Sequence, residues 1–169
     1  HDREVSSLSG GSFTVNSPAN TSPNADVIWR RPVARFTLHA PGPWGEKGIR
    51  EYSYSMVMEV DGRVELSGQG GWRPDTLDFP VGIPIETEVA RAFDNVAFML
   101  DSVGLNWSNV AHVNSYHVPE EDGQITRATA EVGRQFRQRG VRPVWTCLGV
   151  AALGDPKMHV EVRVTAFRD

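Results

Sequence analysis

The chain has 169 residues, 40% of them hydrophobic and 22% charged, which are ordinary values for one globular domain with a buried core. This excludes two full domains and wholesale disorder. The 17 Lys and Arg against 21 Asp and Glu leave a net charge of −4, so we expect neither nucleic acid nor a membrane as partner. The one cysteine, Cys147, excludes an internal disulfide and suits both a reducing compartment and an unbridged extracellular domain. Of the two, we expect the cytoplasm.

The N-terminal segment differs in composition from the rest of the chain. Of its first 25 residues, 15 are Ser, Gly, Asn, Thr or Pro, and its apolar residues have no sustained period. We therefore predict a flexible polar tail, or an arm lying on a surface, over residues 1–32 and one domain over residues 33–169.

The first half of this domain predicts strands. Residues 33–38 alternate as a short strand does, and Pro41-Gly42-Pro43 ends it before a loop of about ten residues. Residues 54–60 and 63–67 flank Asp61-Gly62, a dipeptide suited to a type I′ hairpin turn. The segment 68–71 is too rich in glycine for a regular element, and its backbone can come close to another group.

The second half predicts two helices and three strands. Apolar residues recur at helical spacing from Ile85 to Val103, before Gly104, and again from Ile125 to Phe136, before Gly140. Residues 110–118, 143–153 and 158–167 read as strands. This order predicts an α+β domain, a mixed sheet of about six strands with both helices on one face.

The other face of that sheet then needs a cover. We expect Tyr54, Met56 and Trp145 to lie on it, and self-association would bury them. The sequence therefore predicts a closed homo-oligomer.

Common cofactor motifs are absent, so we expect no cofactor. A metal site is disfavoured as well, because His112 and His117 fall on opposite faces of their strand.

Three segments carry a resemblance to a known family. Tyr54-Ser55 stands thirteen residues before Ser67-Gly68-Gln69, residues 142–153 read RPVWTCLGVAAL, and residues 160–166 read VEVRVTA. In order and spacing they resemble the YjgF/RidA family, the reactive intermediate deaminases once labelled endoribonuclease L-PSP. The resemblance covers roughly residues 52–167.

The resemblance implies a chorismate-mutase-like fold, a homotrimer, and clefts between subunits that hydrolyse small enamines or imines to ketones and ammonia. The catalytic residues implied are Glu161, which orients the attacking water, with Tyr54 and Cys147. Substrate-binding positions are Trp145, Gly68 and Ser67, to which we add Arg163 as a candidate cation.

Trp145 stands where the family has an arginine that pairs with the substrate carboxylate. An indole donates one hydrogen bond and cannot form the bidentate pair, so we expect weak activity on 2-imino acids. Arg163, Arg73 and Arg142 are alternative cations.

Residue spacing supplies a parallel argument for the site. Trp145 and Cys147 share one strand face, and Glu161 and Arg163 share a face of the last strand. If these two strands pair, all four line one pocket wall. The alternative is a surface pair of Glu161 with Arg163, a buried Trp145 and a structural Cys147. Two other functions stay open, a non-catalytic module that binds a small molecule or a protein in the same clefts and, less favoured by the acidic charge, an endoribonuclease.

Overall fold

A computed structural model of the chain describes residues 13–15 and 35–168. These residues form eight strands and three α-helices. The strands are β1 (Phe13–Val15), β2 (Phe36–His39), β3 (Val57–Val60), β4 (Arg63–Leu66), β5 (Gln69–Gly70), β6 (Val110–His117), β7 (Val144–Gly149) and β8 (Val160–Phe167). The helices are α1 (Gly42–Lys47), α2 (Ile85–Asp101) and α3 (Gln124–Arg139).

All strands belong to one mixed sheet. Its order is β1-β2-β3-β4-β8-β6-β7, and the short β5 also pairs with β8. Only β6 and β7 run parallel, which requires a crossover connection, and α3 provides it. The predicted α+β class is confirmed, with two short strands more than the sequence indicated.

The strongest local predictions are confirmed. Asp61 and Gly62 both have positive φ, at 49° and 77°, as a type I′ turn between β3 and β4 requires. Gly104 (φ 72°) follows α2, and Gly140 (φ 68°) caps α3 in the left-handed conformation.

The loop predicted after Pro41 is wrong. Residues 42–47 form α1, and a π-helical turn continues it over Gly48–Tyr52. From the sequence, Pro43 is expected to end a strand. In the structure it lies in the first turn of α1, where a backbone N–H has no partner within the helix and its absence is tolerated. The glycine-rich segment likewise contains a regular element, β5.

The core lies between the sheet and the helices α2 and α3. Phe93 of α2 is fully buried at its centre, stacked on Trp107 at 4.8 Å and edge-on to Phe136 of α3 at 5.5 Å. The valines of β6 and β8 that face the helices are buried beneath them, so these two central strands are fixed by apolar packing.

The prediction that Met56 and Trp145 lie on the uncovered sheet face is wrong. Met56 is completely buried, and Trp145 packs edge-on against Phe136 at 5.5 Å on the helix side of the sheet. Alternation divides a strand into two sets of residues, but it does not say which set meets the helices. The uncovered face of β7 instead carries Val144 and Leu148, both exposed.

Within the predicted tail, the structure describes only Phe13–Val15, which pairs with β2 as an antiparallel strand. The remainder of residues 1–32 lies outside the described residues, and the predicted domain boundary stays a prediction. No helix in the described part of the chain is both long and apolar enough to cross a membrane.

Candidate active site

A cavity of about 320 Å³ opens between α1 with its π-helical turn, the segment around β5, and β8. Its aromatic lining residues are Trp44, Tyr52, Tyr54, Trp72 and Phe79, and the others are Gly68, Gly70, Gly154, Asp155, Met158 and Glu161. This volume is at the small end of the range for small-molecule sites.

The aromatic side of the cavity is a packed cluster. Trp44 stacks on Trp72 with ring centroids 4.9 Å apart and 11° between their planes, and Phe79 meets Trp44 edge-on at 5.8 Å. Trp44 comes from α1, so the helix that sequence analysis missed supplies one wall of the site. Because the rings support one another, the wall is held in place before any ligand binds.

Glu161 points from β8 into the cavity. Its neighbours along the strand, Val160 and Val162, are buried on the helix side, so alternation places Glu161 on the other face. Gly68 lies directly against its carboxylate, where any Cβ would overlap the side chain. Burial raises the pKa of the Glu161 carboxyl above its usual range.

Tyr54 lines the same cavity as Glu161. Burial, the largest effect, raises the pKa of its phenol, a hydrogen bond with the Trp44 side chain lowers it, and the nearby Glu161 charge raises it again. The net shift is upward. The phenol is therefore neutral at physiological pH and can donate a hydrogen bond to a ligand.

Asn95 fixes the segment that forms the cavity floor. It is buried in α2, and its Nδ2 donates to the carbonyl oxygens of Gly70 at 2.8 Å and Trp72 at 3.0 Å. Both acceptor residues line the cavity. One helix side chain thus holds two cavity residues in register.

A second contact from α2 anchors the start of β8. The buried Glu88 carboxylate accepts hydrogen bonds from the backbone N–H groups of His159 at 2.7 Å and Val160 at 3.2 Å. Glu161 is the next residue. The position of the cavity carboxylate along β8 is therefore fixed from the helix layer.

Three of the predicted site residues line this cavity, namely Tyr54, Gly68 and Glu161. Ser67 lies beside it instead of in its lining. Its hydroxyl donates to the Met56 sulfur at 3.2 Å and accepts from Gln69 Nε2 at 3.1 Å, so it supports the turn that carries Gly68.

The predicted wall of Trp145, Cys147, Glu161 and Arg163 is wrong. Strand β6 separates β7 from β8, so the two strands do not pair. Through β6, Trp145 aligns with Val113 and then Val164, which puts it on the opposite sheet face from Arg163 and Glu161. Trp145 donates its indole N–H to Ser115 Oγ at 2.9 Å, and Cys147 is exposed on the edge strand.

The candidate cations do not reach the cavity lining either. Arg163 pairs with Glu65 at 2.9 Å, so the predicted surface pair of Arg163 with Glu161 is also wrong. Arg73 and Arg142 are exposed outside the lining. As a result, the cavity presents carboxylates without a lining Lys or Arg among the described residues.

Sequence reasoning missed Trp44, Trp72, Phe79 and Asp155. Their segments lack sheet or long-helix periodicity, and only the fold brings them together. The glycine-rich segment did signal a close approach, and Gly68 against Glu161 is that approach. The described residues contain no group of three or more His, Cys, Asp or Glu side chains placed to hold a metal ion.

Comparison with protein-family models identifies the chain. The model described as endoribonuclease L-PSP matches residues 47–168. The chain belongs to this family. It is the family that the three sequence segments resemble, so that prediction is confirmed.

Individual relatives match this chain over a similar length. A RutC family protein from Aquifex aeolicus is 29% identical over 133 residues, which are 78% of this chain and 96% of that protein. Yeast Mmf1 is 25% identical with a TM-score of 0.60, over 70% of this chain and 89% of that one. The YjgF gene product of E. coli, at 18% identity, has a TM-score of 0.62 over 70% and 91% of the two chains. These likenesses confirm the chorismate-mutase-like fold.

Proposed function

We propose that this family member hydrolyses a small imine or enamine to a carbonyl compound and ammonia, with Glu161 as general acid and base. The observation that carries the proposal is a half-buried carboxylate with a raised pKa, lying against the Gly68 backbone in a preformed aromatic cavity. Groups with shifted pKa values in a cavity are characteristic of proton-transfer sites.

Glu161 can serve each proton transfer of this reaction. Its carboxylate takes a proton from water as the water oxygen bonds to the protonated imine carbon. The same proton then goes to the nitrogen of the carbinolamine. As the C–N bond breaks, the carbinolamine hydroxyl gives its proton to Glu161, which passes it to the departing ammonia, so the products are the carbonyl compound and ammonium. For an enamine, the protonated carboxyl first gives its proton to carbon, a role that a raised pKa favours.

The proposed assembly is a homotrimer with its clefts between subunits. In the single chain β7 is an edge strand, and five of its six residues are exposed, among them Val144 and Leu148. An exposed apolar edge strand favours pairing with another chain. In the proposed trimer, the exposed face of β7 in one subunit packs against the next subunit, beside its cavity.

The test is ammonia release from imines formed in situ, by an amino-acid oxidase from amino acids and by a flavin-dependent amine oxidase from amines. We expect acceleration above the spontaneous rate, and a loss of about 10²–10⁴-fold in Glu161→Gln. Because burial raises the Glu161 pKa, kcat/KM should have an acidic limb above the usual glutamate range that disappears in the variant. Asp122→Asn, an exposed change outside the cavity lining, is the control. Absence of acceleration for both kinds of imine would contradict the proposal.

A binding module without turnover is the second candidate. Trp145 in place of the carboxylate-binding arginine is the observation that favours it, because the family's pairing group is missing. Retention of ligand by Glu161→Gln without any turnover in the parent protein would support this reading. The endoribonuclease reading has the family's description in its favour, but a cavity lined by carboxylates repels phosphate.

A further inference from the structure

The charge of the cavity lining restricts what it can bind. Two acidic residues, Glu161 and Asp155, line it, and within the described residues no Lys or Arg does. The carboxylate of a 2-imino acid would enter without a cationic partner and would face these acids. Such an anion would lose its hydration shell and gain no ion pair.

The aromatic lining favours the opposite charge. Five of the eleven lining residues are Trp, Tyr or Phe, and the faces of such rings attract cations. The stacked pair of Trp44 and Trp72 fixes this side of the cavity. Met158, itself buried, adds an apolar surface on which the hydrocarbon part of a ligand can pack.

We infer that the cavity selects small cations without a carboxylate, that is, iminium ions and ammonium ions that carry a compact apolar group. This inference rests on the proposed function for the identity of the reacting group, and it names the substrate class as imines of simple amines. The positive nitrogen lies toward Glu161 and Asp155, and the apolar group lies against the rings. The replacement of the family's arginine by Trp145 then accompanies a change of the preferred substrate from an anion to a cation.

The test is calorimetric titration of the full chain at neutral pH with three ligands of similar size and different charge, benzylammonium, benzyl alcohol and benzoate. We expect benzylammonium to bind most tightly and benzoate not to bind measurably. Glu161→Gln should weaken benzylammonium about tenfold, as expected for the loss of a charge-assisted hydrogen bond, and leave benzyl alcohol unchanged. Asp122→Asn, an exposed change outside the lining, is the matched control.

Asp155→Asn gives a second variant that should reduce the preference for the cation if Glu161→Gln does not fold. Benzoate binding as tightly as benzylammonium, or no binding by any of the three ligands, would overturn the inference. Selective benzylammonium binding without imine turnover would leave it standing and contradict the proposed hydrolysis. Equal turnover of imino acids and simple imines would support the proposed hydrolysis and contradict the inferred preference for cations without a carboxylate.

Discussion

Among single residues, Gly68 leaves the space that the carboxylate of Glu161, the proposed reacting group, occupies. A Cβ there would overlap the Glu161 side chain, whose flexible end can move away. We therefore expect Gly68→Ala to fold normally and to lose most imine turnover, by about 10²–10⁴-fold if the proton transfers fail.

Gly45→Ala is the matched contrast, because its Cβ would overlap the Ala40 backbone, which cannot move away in the same manner. It should lower the free energy of unfolding by about 1–3 kcal/mol. Urea denaturation and ammonia release, measured on both variants, separate the two effects. Normal turnover in Gly68→Ala would show that the carboxylate does not act from this position.

Among the contacts between secondary-structure elements, the two hydrogen bonds of Asn95 connect α2 to the cavity floor. Asn95→Ala leaves the carbonyls of Gly70 and Trp72 without this donor, and we expect a loss of about 1–3 kcal/mol in stability. Benzylammonium affinity should fall as well, because both residues line the cavity. Asp101→Ala, another exposed residue of the same helix, is the control. A stable variant with unaltered affinity would contradict the positioning role.

His159 joins α2 to the segment before α3. Its Nδ1 lies 2.8 Å from Glu88 Oε2 and its Nε2 lies 2.9 Å from Glu120 Oε1. Burial, the largest single effect, lowers the pKa of His159, but the hydrogen bonds and charges of Glu120 and Glu88 together outweigh it and the pKa is raised.

Protonated His159 thus stabilises the fold. This contribution is fully present below the unfolded-state pKa of about 6.5 and is lost as pH rises through the higher folded-state pKa. We expect the difference in Tm between the wild type and His159→Gln to be largest at acidic pH and to shrink above neutrality. Taking the difference cancels the contribution of Glu161, which titrates in both proteins. A difference that stays constant with pH would contradict this account.

For the molecule as a whole, the exposed apolar face of β7 is the feature that bears on assembly. We expect light scattering to give three times the chain mass, and Leu148→Lys to give the mass of one chain, because a lysine there would be buried unpaired in the contact. Val81→Lys, which replaces another exposed apolar side chain, should remain trimeric. A wild-type mass of one chain at micromolar concentration would contradict the trimer.

Local interactions made much of the fold predictable. The type I′ turn at Asp61-Gly62 depends on two adjacent residues, and α2 and α3 depend on apolar residues three and four apart, so a single segment contains each signal. The helix α1 was missed because proline and glycine end a strand as readily as they begin a helix. Family segments added Tyr54, Gly68 and Glu161, all of which the structure brings to one cavity.

The sequence by itself determined the class of the fold, the family, and Glu161 as the candidate reacting group, because each rests on near neighbours or on an ordered set of motifs. Only the tertiary structure decided which residues share the cavity. Strand alternation specifies two faces but not the strand that lies between β7 and β8, and that strand, β6, places Trp145 on the helix side. Likewise Trp44, Trp72 and Asp155 are distant in sequence, so only packing could place two acidic residues and an aromatic cluster around one small volume.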